Sequence, residues 1–157
     1  MKRLSPPKLA PFHLTQAGFD EFQKELVQLA ETRKEAVLKL TEARNLGDLS
    51  ENGLYTAAKG RLRGIDGRML FLKSLLKRTI VPQKDTGIVS IGSVVSIRIG
   101  SLEKKYELVG DFEASPSDNK ISYKSPLGAV IFGRKVRDTV TFISPNGEKN
   151  VRILSVE

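Results

Sequence analysis

The 157-residue chain has no cysteine, no tryptophan and a single histidine. Without cysteine there are no disulfides, thiolate metal sites or cysteine nucleophiles, and the chain suits a reducing compartment. A Ser-His-Asp triad would have to be built on His13, which stands in a proline-flanked stretch near the N-terminus, and zinc has almost no ligands to choose from. No run approaches the roughly 18 apolar residues of a membrane span, and Met1 to Pro11 lacks the apolar middle of a signal peptide. A cytoplasmic protein with no membrane partner is expected.

An apolar share of 39% beside 28% charged residues is that of a chain that folds, with room for one sizeable domain or two small ones. The net charge of +8 suggests a polyanionic partner. Its distribution is uneven: residues 1–80 carry 15 basic and 9 acidic side chains, residues 81–157 carry 11 and 9. Between Ala57 and Ile80, Lys59, Arg61, Arg63, Arg68, Lys73, Lys77 and Arg78 face one acid, Asp66.

The two halves differ in periodicity. Phe19, Phe22, Leu26, Leu29, Arg33, Ala36, Leu40 and Ala43 alternate at threes and fours, the spacing of a coiled-coil seam, with Arg33 its one polar position. With Thr15 as N-cap, the spacing predicts a helix over about 15–46, roughly 45 Å long. Beyond Gly47 a second seam runs through Tyr55, Ala58, Leu62, Ile65, Met69, Leu72, Leu76 and Thr79. The short gap forces the helices antiparallel, giving an arm with its tip near residue 48.

After Pro82 the pattern becomes short β-branched runs separated by Gly, Pro, Ser and Asn. Strands are expected at Ile88–Ile91, Val94–Ile99, Lys104–Val109, Ile121–Tyr123, Thr139–Ile143 and Val151–Val156, the last two joined through Asn146-Gly147, and a short helix at Leu127–Arg134. The fold class is α+β. An N-terminal extension (1–13) precedes the antiparallel coiled-coil arm (14–80), and a small β-rich domain (81–157) follows.

The tip reads Leu46-Gly47-Asp48-Leu49-Ser50-Glu51-Asn52. Asp48 and Glu51 have the spacing of a capping box, and acids at a helix start also suit its dipole. Two carboxylates at the end of a long basic arm equally suit completion of a Mg²⁺ site in a distant cavity, since Mg²⁺ takes oxygen ligands and few protein carboxylates. The readings are compatible. Lys59, Arg61, Arg68 and Lys73 flank the second seam, and of the flanking positions on the first helix only Glu25 is acidic. Phosphate contact and an ordinary solvated face both remain open for these cations.

The run Ala43-Arg44-Asn45-Leu46-Gly47-Asp48-Leu49-Ser50-Glu51-Asn52, with Tyr55 and Ala57-Ala58-Lys59, resembles the tip motif of the bacterial Gre transcript-cleavage factors. Leu14-Thr15, Gly18, Glu25-Leu26, Leu108-Val109-Gly110-Asp111, Ser125-Pro126-Leu127, Gly133-Arg134-Lys135-Val136 and Ser144-Pro145-Asn146-Gly147-Glu148 agree in order, so the resemblance spans nearly the whole chain from Leu14. Lys59 to Asp66 is more similar to the basic GreB branch than to GreA. The first dozen residues, Leu54, and the glycines Gly53, Gly60, Gly64 and Gly67 on the outer face of the second helix depart from the pattern.

The resemblance implies a transcription elongation factor whose FKBP-like β domain docks on RNA polymerase while the arm enters the secondary channel. There, at the extruded RNA 3′ end, Asp48 and Glu51 would share Mg²⁺ with the polymerase, with no metal held stably by this chain alone. Arg44, Asn52 and Tyr55 would support the tip, and Lys59, Arg61, Arg63 and Arg68 would face RNA. The polymerase would cut, and this chain, expected to be a monomer, would be an accessory factor and not an enzyme. The alternatives are a channel-binding inhibitor of the same fold, an FKBP-like isomerase or chaperone, and a generic DNA-binding protein. The isomerase reading has only Tyr106, Phe112, Tyr123, Phe132 and Phe142 with which to line an aromatic pocket.

Overall fold

The structure, a computed structural model, describes residues 10–46, 53–85, 87–144 and 147–157. The chain forms two compact units: Phe19–Arg78, and the described residues up to Gly18 together with Thr79–Glu157.

In the first unit α1 (Gln16–Asn45, beginning in the other unit) and α2 (Gly53–Arg78) form the helical hairpin. Partners run in opposite directions along the two helices: Glu25 meets Arg68, whereas Arg33, farther along α1, meets Asp66. The seam follows the predicted spacing. Ala36, Ala43, Ile65 and Leu72 are buried, and Phe22, Leu26, Leu29, Leu40, Tyr55, Ala58, Leu62 and Met69 are half-buried. Two positions differ. Leu75 is fully buried although it lies outside the predicted seam, and Thr79, predicted to close it, has left the helix for a strand.

Thr15 caps α1 as its spacing suggests, its Oγ1 accepting from the Gly18 amide at 3.0 Å. The Thr15 hydroxyl and amide both donate to the Glu113 carboxylate, which also accepts from the Gly110 amide at 3.1 Å. A Cβ on Gly18 would collide with that carboxylate, which gives a physical reason for a glycine inside a helix.

The second unit contains β1 (Phe12–His13), β2 (Thr79–Ile80), β3 (Val94–Ile99), β4 (Leu102–Val109), β5 (Lys120–Ser122), α3 (Pro126–Ile131), β6 (Thr139–Ser144) and β7 (Gly147–Val156). Five strands form one mixed sheet in the order β5-β4-β3-β7-β6, with β4–β5 parallel and the other neighbours antiparallel. Alternate residues of β3 and β7 turn inward, so Val95, Ile97, Val151 and Ile153 build the core with Val89, Leu108 and Ile131. α3 starts at Pro126 behind the Ser125 cap and contributes Ile131.

Phe12 and His13 lie inside the fold, pairing in parallel with Thr79 and Ile80, so the boundary drawn at 1–13 differs from the observed one. Ile88–Ile91 is not a strand. It makes one isolated bridge, Ile88 to Lys135, between Gly87 and Gly92 at φ of 85° and 90°, conformations that end an extended run; Val89 and Ile91 are buried nonetheless.

Substitutions should separate these environments. Ile65→Ala is expected to cost about 2–4 kcal/mol. Gly64→Ala, which meets open space, should stabilise by about 0.5–1 kcal/mol through helix propensity. Gly110→Ala should destabilise, because its Cβ would strike the His13 carbonyl. Urea unfolding of the three variants checks the order.

Candidate functional site at the distal end of the arm

Asp48, Glu51 and Asn52 lie outside the described residues. Of the predicted tip neighbours, Arg44 is exposed in the last turn of α1, where a cation complements the helix C-terminus, and Tyr55 is half-buried in the first turn of α2. The approach of the two helix ends is visible in a groove of about 350 Å³, to which Leu46 and Leu54 both contribute.

The basic residues predicted as one stripe occupy two flanks of α2. At 100° per residue, Lys59 and Arg63 are 40° apart and Arg61 and Arg68 about 20° apart, but Lys59 and Arg61 are separated by roughly 160°. Lys59 sits 5.9 Å from the Tyr55 ring centroid. Lys59, Arg61 and Arg63 form no ion pair among the described residues.

Arg68 differs from these three in having an acidic partner across the seam. Its Nε and Nη2 donate to the two Glu25 oxygens at 2.7 and 2.8 Å, and its guanidinium lies 5.3 Å from the Phe71 ring centroid. This bidentate pair holds the Glu25 carboxyl below its ordinary range and raises Arg68, the hydrogen bond being the larger cause in each case. A side chain held this way is a register pin.

A second pin escaped the sequence reading. Arg33, the one polar seam residue, donates from Nε to Asp66 Oδ1 at 2.6 Å, which raises its pKa. The available signal was that Asp66 is the single acid between Ala57 and Ile80, opposite the single polar seam position.

In the β unit, His13 is structural. Its amide donates to Asp111 Oδ2 at 2.9 Å, its carbonyl accepts from the Asp111 amide at 2.6 Å, and its Nδ1 lies 3.2 Å from the Tyr123 hydroxyl. Lys124 donates to the other Asp111 oxygen at 2.6 Å, which raises the Lys124 pKa. Tyr106, Tyr123 and Phe142 pack on the core, Phe112 and Phe132 are exposed, the Tyr123 and Phe132 ring centroids lie 5.9 Å apart, and a cleft of about 470 Å³ between Thr15, Pro82 and Ile91 has no aromatic lining. Among the described residues no three His, Asp or Glu side chains group as a metal site, and no helix is long and apolar enough to cross a membrane.

Residues 12–81 match the family described as Transcription elongation factor, N-terminal, and residues 83–157 match Transcription elongation factor, GreA/GreB, C-term. The Transcription elongation factor GreA of Chloroflexus aggregans is 39% identical over 153 residues, covering 93% of this chain and 97% of that protein. That of Roseiflexus castenholzii is 36% identical, covering 94% and 98%. Among solved structures, GreA factor homolog 1 (Gfh1) of Thermus thermophilus is 26% identical with a TM-score of 0.45, covering 94% of this chain and 99% of that one. Two matched halves in the order helical hairpin then β domain define a Gre-type transcription elongation factor. The chain belongs to the GreA/GreB family.

The Glu25–Arg68 pair has a testable pH signature. Because the folded Glu25 pKa lies below the ordinary value of 4.5, the pair's stabilisation is present above that value and is lost as the pH falls through the folded pKa. With both side chains partly exposed, Glu25→Gln should cost about 0.5–1 kcal/mol at pH 7 and progressively less below pH ~4. Urea unfolding at pH 7 and pH 3 measures the difference.

Proposed function

We propose that this factor docks on RNA polymerase through its β domain, inserts the helical arm into the secondary channel, and stimulates the polymerase's own cleavage of backtracked RNA. The observation carrying the reading is the acidic pair Asp48 and Glu51, set in a Gre-type tip motif between two long antiparallel helices. This arrangement delivers side chains deep into a narrow space without delivering an enclosed site of its own. The cleft between Thr15, Pro82 and Ile91 in the β unit, which no aromatic ring lines, supports docking in preference to prolyl isomerisation.

The donor set fits Mg²⁺: two hard carboxylate oxygens are what this ion accepts from a protein, with water and phosphate filling the remaining positions. Asp48 and Glu51 would hold it jointly with the polymerase, where it would supply Lewis-acid activation and a more acidic bound water. This chain's own contribution is placement. The carboxylates add negative charge beside the reacting phosphodiester and orient water, while Arg44, Asn52 and Tyr55 support the tip. Lys59, Arg61 and Arg63, with no ion-pair partner among the described residues, and Arg68 beside them would supply positive charge for the extruded strand, as point charges and not base readers. Without polymerase the protein is inert toward RNA.

Asp48→Asn separates ligand from cap, because asparagine retains a capping oxygen but loses the anionic ligand. On a backtracked polymerase complex the variant should bind normally, lose most stimulated cleavage, and recover part of it at high Mg²⁺ by mass action. Normal cleavage at limiting Mg²⁺ would mean that Asp48 is only a helix cap. A wild-type chain that binds and inhibits without cleavage would establish the inhibitory reading instead.

A further inference from the structure

The groove at the arm's distal end is not explained by the seam or by the acidic pair. Ala36 and Ala43 of α1 and Ala58 of α2 stand where the rest of the seam carries larger side chains, and with the exposed Ala57 beside them they line a depression of about 350 Å³ between the helices. Leu46 and Leu54 extend its apolar wall while remaining 71% and 65% exposed, which is costly for leucines facing only water. Lys39 and Arg61 stand at its rim, and neither has an ion-pair partner among the described residues. An apolar floor between unpaired cations matches the two halves of a nucleotide, a flat apolar base face and an anionic phosphate.

We propose that this groove receives an unstacked nucleotide at the 3′ end of the extruded RNA, the base against Leu54 and Ala57 and its phosphate toward Lys39 and Arg61. The inference rests on the proposed function and adds a contact to it: the nucleotide beside the tip lies on the Arg61 flank of α2, not on the Lys59–Arg63 flank. Charge decides between RNA and an apolar protein segment as occupant, since the latter has no use for two unpaired cations at the rim. Glu42, the one acid in the lining, suits an exocyclic amino group of a base, not a phosphate. The groove's Leu46 and Leu54 flank in sequence the Gly47–Asn52 segment that carries the acidic pair.

The test compares backtracked polymerase complexes whose extruded 3′ nucleotide is either intact or abasic, keeping the phosphates unchanged. Each is treated with the wild-type chain or with Ala57→Leu, which fills the groove from an exposed position of a helix that accepts leucine. The wild type should favour the intact RNA by roughly tenfold in stimulated cleavage rate beyond any preference of polymerase alone, and Ala57→Leu should reduce that preference to about twofold or less. Leu54→Ser, which removes apolar wall away from the seam, should do the same if Ala57→Leu folds poorly by circular dichroism. Equal preference in wild type and both variants overturns the proposal. So does an equal loss on both RNAs, the result expected if a polymerase side chain occupies the groove. If the wild-type chain stimulates cleavage of neither RNA, the proposed function itself fails.

Discussion

Two helices packed only against each other bury one stripe apiece, so the register in which α1 meets α2 determines what stands together at the far end of the arm. That register is set by Ile65 and the alanines of the seam and fixed by two ion pairs, Arg33–Asp66 and Glu25–Arg68, one on either flank of α2. Such pairs add little stability while partly exposed, but each tolerates one register only, which an apolar seam of similar leucines does not guarantee. A shift by one turn would separate both pairs at once and move Leu54 away from Leu46. On the proposed function the placement of the tip would therefore depend on contacts well back along the arm.

The same constraint divides the positive charge by role. Arg68 and Arg33 are each held by a carboxylate across the seam, whereas Lys39, Lys59, Arg61 and Arg63 have no ion-pair partner among the described residues. Their placement on two flanks means that a single strand cannot lie along all of them as along a straight rail. On the proposed function one flank would contribute to the field that attracts RNA, whereas the other, with its alanine groove, would hold a nucleotide.

The helical half was legible because burial in a two-helix arm repeats at threes and fours, and Leu26, Ala36, Leu62 and Ile65 follow that spacing without interference. The cap at Thr15 and the hairpin of β6 and β7 were equally local. What escaped was non-local. The pairing of Phe12–His13 with Thr79–Ile80 joins residues far apart in sequence that carry no mutual signature. The run Ile88–Ile91 has strand composition but is bounded by left-handed glycines. The basic run of α2 read as one stripe because linear spacing hides a rotation of 100° per residue. Asp66 was passed over because the α2 cations pointed only to acids on the first helix, whereas the polar gap in the first seam needed an acid on the second. The candidate carboxylate pair could be read from the tip motif alone, but the groove at the distal end of the described helices depends on alanines meeting across two helices, which no single segment announces.

The central claim is that this chain supplies the polymerase active centre with acidic groups that promote cleavage of its own transcript. The most direct measurement adds purified protein to stalled, backtracked RNA polymerase carrying RNA labelled at its 5′ end, in Mg²⁺, and follows the transcript by length. The account predicts a shortened RNA that the same complex extends on addition of nucleotides, with no shortening of free RNA when polymerase is left out. Persistence of the full-length transcript at saturating protein, or shortening of free RNA by the protein alone, would contradict it.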